Sequence, residues 1–115
     1  MSASEKEREN MSLYSVLLVD DEAQERDGIR FLIEKYKLPL TVVEAQNGQK
    51  ALEYLKEHPV DILFTDVKMP YKDGLELAKE TFQFNQSIRI VIFSAYGEFE
   101  YAKRAMEANA VDYLL

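Results

Sequence analysis

Two acids stand side by side at Asp20-Asp21, a third at Asp66, and a hydroxyl at Ser94. Each follows a short apolar run rich in β-branched residues: Ser15–Val19, Ile62–Thr65 and Ile88–Phe93. Such runs read as buried strands. Helical patterns separate them, so the strands are expected to lie parallel in an open sheet, where chemistry gathers outside the carboxyl ends. The four groups are therefore expected to converge at one edge.

Three carboxylates brought together repel. Two charges about 4 Å apart interact by roughly 4 kcal/mol at an effective dielectric near 20. A proton or a cation must relieve this. Every donor atom here is an oxygen, which selects a hard cation, Mg²⁺ (or Mn²⁺), that keeps waters for a phosphate. With the cation in place, one carboxylate can attack phosphorus and form an aspartyl-phosphate. The cation and nearby donors, the Ser94 hydroxyl among them, would then stabilise charge on the transferring oxygens.

Each residue also has a plainer reading. Asp21 suits a helix N-cap, with Gln24 completing a capping box. Asp66 alone suits a turn at a strand end, Ser94 alone a polar loop, and Asp73-Gly74 a turn. The Phe99, Ala102 and Met106 stripe reads as core packing. The joint placement of acids and hydroxyl at successive strand ends is what favours chemistry.

The elements that must position these groups alternate along the chain. After the first strand, Ile29, Leu32, Ile33 and Tyr36 recur at helical spacing, predicting an amphipathic helix from Glu22 to about Lys37, stopped by Pro39. Thr41–Ala45 is a second strand, and Asn47-Gly48 reads as a turn. Ala51, Leu52 and Leu55 mark a second helix ending near His58-Pro59. Leu75 to about Phe84 is a third helix, Glu98 to Asn109 a fourth, and Val111–Leu115 begins a fifth strand. The expected fold is an α/β domain with a parallel sheet covered on both faces.

Bulk properties bound the rest. The 115 residues suffice for one domain. Residues 1–12 are polar and read as a disordered tail, leaving 13–115 as the domain. Net charge is −7, which argues against this domain gripping nucleic acid and suits a site that attracts cations. No cysteine is present and His58 is the one histidine, so thiolate and imidazole metal sites are set aside. No run is apolar enough to span a bilayer, and Met1–Asn10 lacks a signal-peptide core, so the protein is read as cytoplasmic.

The segments Val16-Leu-Leu-Val-Asp-Asp-Glu22, Asp61-Ile-Leu-Phe-Thr-Asp-Val-Lys-Met-Pro70 and Asp73-Gly74 resemble the receiver domain of two-component response regulators. The resemblance runs from about Leu13 to Leu115. It implies a flavodoxin-like, doubly wound five-stranded sheet of order 2-1-3-4-5, in which ligands sit where the strand order reverses. It implies Asp66 as phosphoacceptor, with Asp20, Asp21, Asp66 and the backbone carbonyl of Lys68 holding Mg²⁺. Ser94 would bind the phosphoryl group, Tyr113 would be the aromatic that rotates inward, and Lys68 and Tyr96 would tune phosphoryl lifetime. The implied partners are a sensor histidine kinase and the protein's own output domain, with a homodimer formed on activation. The stretch Ser94-Ala-Tyr-Gly-Glu-Phe-Glu-Tyr-Ala102 is similar to receivers joined to an AraC-type helix-turn-helix domain, which implies a transcription regulator.

One departure stands out. The family places a lysine and a final helix just beyond Leu115, so a C-terminally truncated receiver is expected, with an open apolar flank that favours self-association. Three other classes compete. A flavin or nucleotide binder would need a phosphate loop where Asp20-Asp21 puts negative charge. An aspartate-nucleophile phosphohydrolase would need an acid where Lys68 stands. A receiver-like interaction module that is never phosphorylated is the remaining alternative.

Overall fold

A computed structural model of the chain describes residues 13–93 and the backbone of 112–114. Among the described residues there are five strands, β1 Tyr14–Val19, β2 Leu40–Ala45, β3 Ile62–Asp66, β4 Arg89–Phe93 and β5 Asp112–Leu114, and three helices, α1 Ala23–Lys35, α2 Gly48–Glu57 and α3 Gly74–Phe84. The strands are all parallel, in the order β2-β1-β3-β4-β5. This is the flavodoxin-like arrangement, and its order reverses between β1 and β3. The expected tail 1–12 and the expected helix Glu98–Asn109 lie outside the described residues.

The sheet register does the positioning. Val19 pairs with Thr65, so Asp20 and Asp66 follow at the ends of adjacent central strands. Asp66 in turn pairs with Phe93 of β4. These strands are anchored by a core in which Leu17, Val19, Leu63, Ile90 and Ile92 meet Ala51, Leu52 and Leu55 of α2 and Leu75, Leu77 and Ala78 of α3. Burying side chains of this size stabilises by about 1.5–3 kcal/mol each, which makes this face of the sheet the rigid one.

The opposite face is held differently. The predicted apolar stripe of α1 is only partly covered: Ile29 and Ile33 are half-buried, while Leu32 and Tyr36 are exposed. No residue of α1 is buried. The helix is tied to β2 by charge instead. Arg26 Nε and Arg30 Nη2 each lie 2.8 Å from a Glu44 carboxylate oxygen. Burial alone would raise the Glu44 carboxyl, but the hydrogen bonds and charges of Arg26 and Arg30 outweigh it and hold it below its usual range.

Three local expectations are corrected. The N-cap of α1 is Glu22, not Asp21, and no Asp21–Gln24 capping box forms. Asn47-Gly48 is the start of α2, with Asn47 Oδ1 accepting the Lys50 N–H at 2.8 Å. Asp73-Gly74 is the start of α3: Asp73 Oδ1 accepts the Glu76 N–H at 2.8 Å, and Glu76 Oε1 accepts the Asp73 N–H at 3.2 Å. Asn, Asp and Gly favour both turns and helix starts, because their side chains satisfy local N–H groups in either setting. Helix α1 also ends earlier than expected. Lys37, at φ 52°, closes it through its N–H to the Glu34 carbonyl, while the Leu38 N–H reaches Ile33, so the stop precedes Pro39.

The loop after Asp66 is cinched to the sheet. The Val67 N–H donates to Phe93 at 3.0 Å, and the Gly74 N–H donates to Val67 at 2.9 Å. A Cβ on Gly74 would fall 2.0 Å from the Asp66 carbonyl oxygen, so only glycine permits this approach. Gly74→Ala is expected to destabilise the domain by about 1–3 kcal/mol. Urea denaturation checks this, and an unchanged midpoint would contradict it.

Candidate functional site

The site grows out of the ends of β1 and β3. Asp20 continues β1, its N–H donating to Ala45 at 3.2 Å. Its carbonyl accepts from Arg26 Nη1 at 2.6 Å, which ties the strand end to α1. Its carboxyl is wholly buried, at 0% exposure. Oδ1 accepts the Glu22 N–H at 2.9 Å, whereas the buried Oδ2 has no hydrogen-bond partner. Such an orphaned polar atom is costly and points to a missing partner.

Asp66 is half-buried beside it. The backbone N–H groups of Lys68 and Val67 favour the ionised form of its carboxylate. Among the described residues, Asp20, Glu25 and Asp66 each offer an oxygen within 4.8 Å of the others. Asp21 is exposed and lies outside that group, although its charge acts on both Asp20 and Asp66. Lys68 is exposed on the loop that follows Asp66. Tyr113 lies in β5, where it pairs with Ile92. Ser94 and Tyr96 lie outside the described residues.

Electrostatics reflect the crowding. Burial, the contact with Glu25 and the charges of Glu25 and Asp21 push the Asp20 carboxyl up to about 7, against the opposing pull of the Glu22 N–H. Burial and the Asp20 charge push Asp66 up to about 6, partly offset by the Lys68 and Val67 N–H groups. Desolvation disfavours the charged form, and like charges add to it. A hard divalent cation fits this donor set, which contains only carboxylate oxygens and one buried oxygen without a partner.

Sequence reasoning missed two residues. Glu25 lies in the first turn of α1, and an acid five residues after Asp20 is the only signal it left. Arg26 bridges the Asp20 carbonyl and Glu44, and its neighbour Arg30 reaches the same carboxylate.

Fold and site together define a flavodoxin-like α/β domain with an acidic, oxygen-only cluster at the strand-order reversal. Residues 16–115 match the family described as the response regulator receiver domain, and the chain belongs to that family. It is 42% identical over 104 residues to the transcriptional regulatory protein YesN of Bacillus subtilis, a match covering 90% of this chain and 28% of the relative. It superposes with a TM-score of 0.81 on a LuxR-family two-component response regulator from Aurantimonas sp. SI85-9A1, at 33% identity, covering 89% of this chain and 73% of that one. The receiver domain of AraT, a response regulator from Geobacillus stearothermophilus, gives 0.74 at 39% identity, covering 89% and 80%. The chain spans less than two thirds of the curated relatives it matches. Receiver domains are signalling modules and not conventional enzymes, and response regulators work with histidine kinases and carry output domains. No helix among the described residues is long and apolar enough to cross a membrane.

The raised carboxyls make a pH prediction. Both groups bind a proton more tightly folded than unfolded, so their contribution is fully favourable below about pH 4 and is lost as pH rises through 6 and 7. In EDTA the melting temperature should therefore fall between pH 5 and 7.5. Asp20→Asn should flatten that fall and raise the melting temperature at pH 7.5 by roughly 5 °C or more. Circular dichroism melts check this, and a wild-type curve parallel to that of Asp20→Asn would contradict it.

Proposed function

We propose that this receiver domain is the phosphoryl-accepting switch of a two-component transcription regulator, with Asp66 as the phosphoacceptor. The observation that carries the reading is the β1–β3 register, which sets the half-buried Asp66 beside the wholly buried Asp20 in a chain of this family. Asp20, Asp21 and Asp66, with the backbone carbonyl of Lys68, are the residues that would hold Mg²⁺ (or Mn²⁺). The bound cation would neutralise charge on the carboxylates and on the transferring phosphoryl oxygens.

The chain's own residues do the rest. An Asp66 carboxylate oxygen attacks the phosphorus of a phosphohistidine on the sensor kinase. The O–P bond forms, the P–N bond breaks, and the departing imidazole takes up a proton. The Lys68 and Val67 N–H groups favour the ionised form of the attacking carboxylate. Ser94 donates its hydroxyl to a phosphoryl oxygen, and Tyr113 in β5 follows it inward. The side chains of Lys68 and Tyr96 tune how fast water hydrolyses the acyl phosphate, the domain's own route back to rest.

Phosphorylation adds negative charge and three acceptor oxygens at the end of β3, which biases the neighbouring segment between β4 and β5 toward a second arrangement. That face then docks or dimerises and releases an output domain, of AraC-type helix-turn-helix class, to bind DNA. The receiver itself, in a chain of net charge −7, leaves DNA contact to that domain. The setting is the cytoplasm, where the kinase presents its phosphohistidine.

Intact-protein mass after incubation with acetyl phosphate tests the reading, on this chain and on the full-length regulator. One phosphoryl group should be gained with Mg²⁺ and none with EDTA or in Asp66→Asn. A gain that survives Asp66→Asn would move the acceptor elsewhere. No gain by the full-length wild type would favour an interaction module that is never phosphorylated.

A further inference from the structure

Glu25 has no part in the chemistry so far. It is the third residue of α1, in the first turn, where an acid ordinarily answers the helix dipole or closes a capping box. Its place in the first turn suits the dipole, but no capping box forms, because the Glu22 N–H is given to Asp20 Oδ1. The N-cap residue Glu22 makes no side-chain cap hydrogen bond. Glu25 is half-buried, and its carboxylate lies within 4.8 Å of oxygens of both Asp20 and Asp66.

Acids that cluster on a surface are common and need no ligand. This cluster differs because Asp20 is wholly buried and its Oδ2 has no hydrogen-bond partner. A half-buried carboxylate facing an orphaned buried oxygen is repulsive unless a proton or a cation lies between them. Arg26, next in sequence, does not supply it, being committed to the Asp20 carbonyl and to Glu44. Asp21, the acid expected to complete the site, is exposed and outside the group.

We infer that Glu25 is a further ligand residue of this site, supplying a carboxylate beyond those of Asp20, Asp21 and Asp66 to the divalent cation. The inference rests on the cation-binding part of the function proposed above. Its physical consequence is affinity. The number of charged oxygen ligands sets how tightly a hard cation is held, so an additional carboxylate strengthens binding before any phosphoryl donor arrives.

Isothermal titration calorimetry with Mg²⁺ alone, on the full chain and without a phosphodonor, tests this. Glu25→Gln keeps the shape of the side chain and removes its charge. It should weaken Mg²⁺ binding by about fivefold or more. Asp27→Asn, exposed on the same helix and equal in charge change, should stay within about twofold of wild type. If Glu25→Gln fails to fold by circular dichroism, Glu25→Asp takes its place, because it keeps the charge but withdraws the oxygens by one methylene, and the same weakening is expected.

Glu25→Gln binding as tightly as wild type overturns the inference, above all if Asp21→Asn alone loses affinity. Equal weakening by Glu25→Gln and Asp27→Asn also overturns it, since diffuse charge would then explain both. Failure of the wild type to bind Mg²⁺ at all is a distinct result: it removes the cation site on which the proposed function depends, and the Glu25 role with it.

Discussion

Burying the Asp20 carboxyl is the constraint around which this domain is arranged. An ionised carboxylate taken out of water costs several kcal/mol unless it is paired. Here one oxygen has a single backbone donor and the other has none. Asp66 and Glu25 press a second and third acid against it. The isolated polypeptide can relieve this only by holding protons at a pH where carboxylates ordinarily release them. A divalent cation would relieve it without that penalty.

The scaffold keeps this repulsion from dispersing. Strand register fixes Asp20 and Asp66 side by side, and the apolar core beneath α2 and α3 leaves the two strand ends little freedom to part. Gly74 brings the start of α3 against the Asp66 carbonyl, and the Thr65 hydroxyl donates to the same oxygen at 3.0 Å. Arg26 fastens the Asp20 carbonyl to α1. The acids therefore stand on rigid elements, while α1 on the other face is joined to β2 through an ionic fork on Glu44.

Much of this was legible from residue types. Buried parallel strands announce themselves as apolar β-branched runs, so the residue that ends each run is also readable, and with it the meeting of Asp20 and Asp66. The strand order came from the family resemblance, since short apolar runs carry no information about neighbours. The details that escaped depend on geometry that periodicity does not encode. Glu25 reaches the site because of the tilt and phase of α1 against the sheet, and an acid in a first helical turn ordinarily faces solvent. Asn47 and Asp73 read as turn residues because the side-chain bonds that make a turn also start a helix. The α1 stripe was expected to be covered, yet Leu32 is 49% exposed and the helix is tied to β2 by Arg26 and Arg30 on Glu44.

A buried, self-repelling acid cluster relieved by a divalent cation is the core of this picture. Carbon-13 NMR titration of the Asp20 side-chain carboxyl, with EDTA and then with saturating Mg²⁺, tests it most directly. A titration step near pH 7 is predicted in EDTA, moving below the ordinary carboxylate range when Mg²⁺ is present. A step at the same pH in both conditions, or an ordinary carboxylate titration in EDTA, would contradict it.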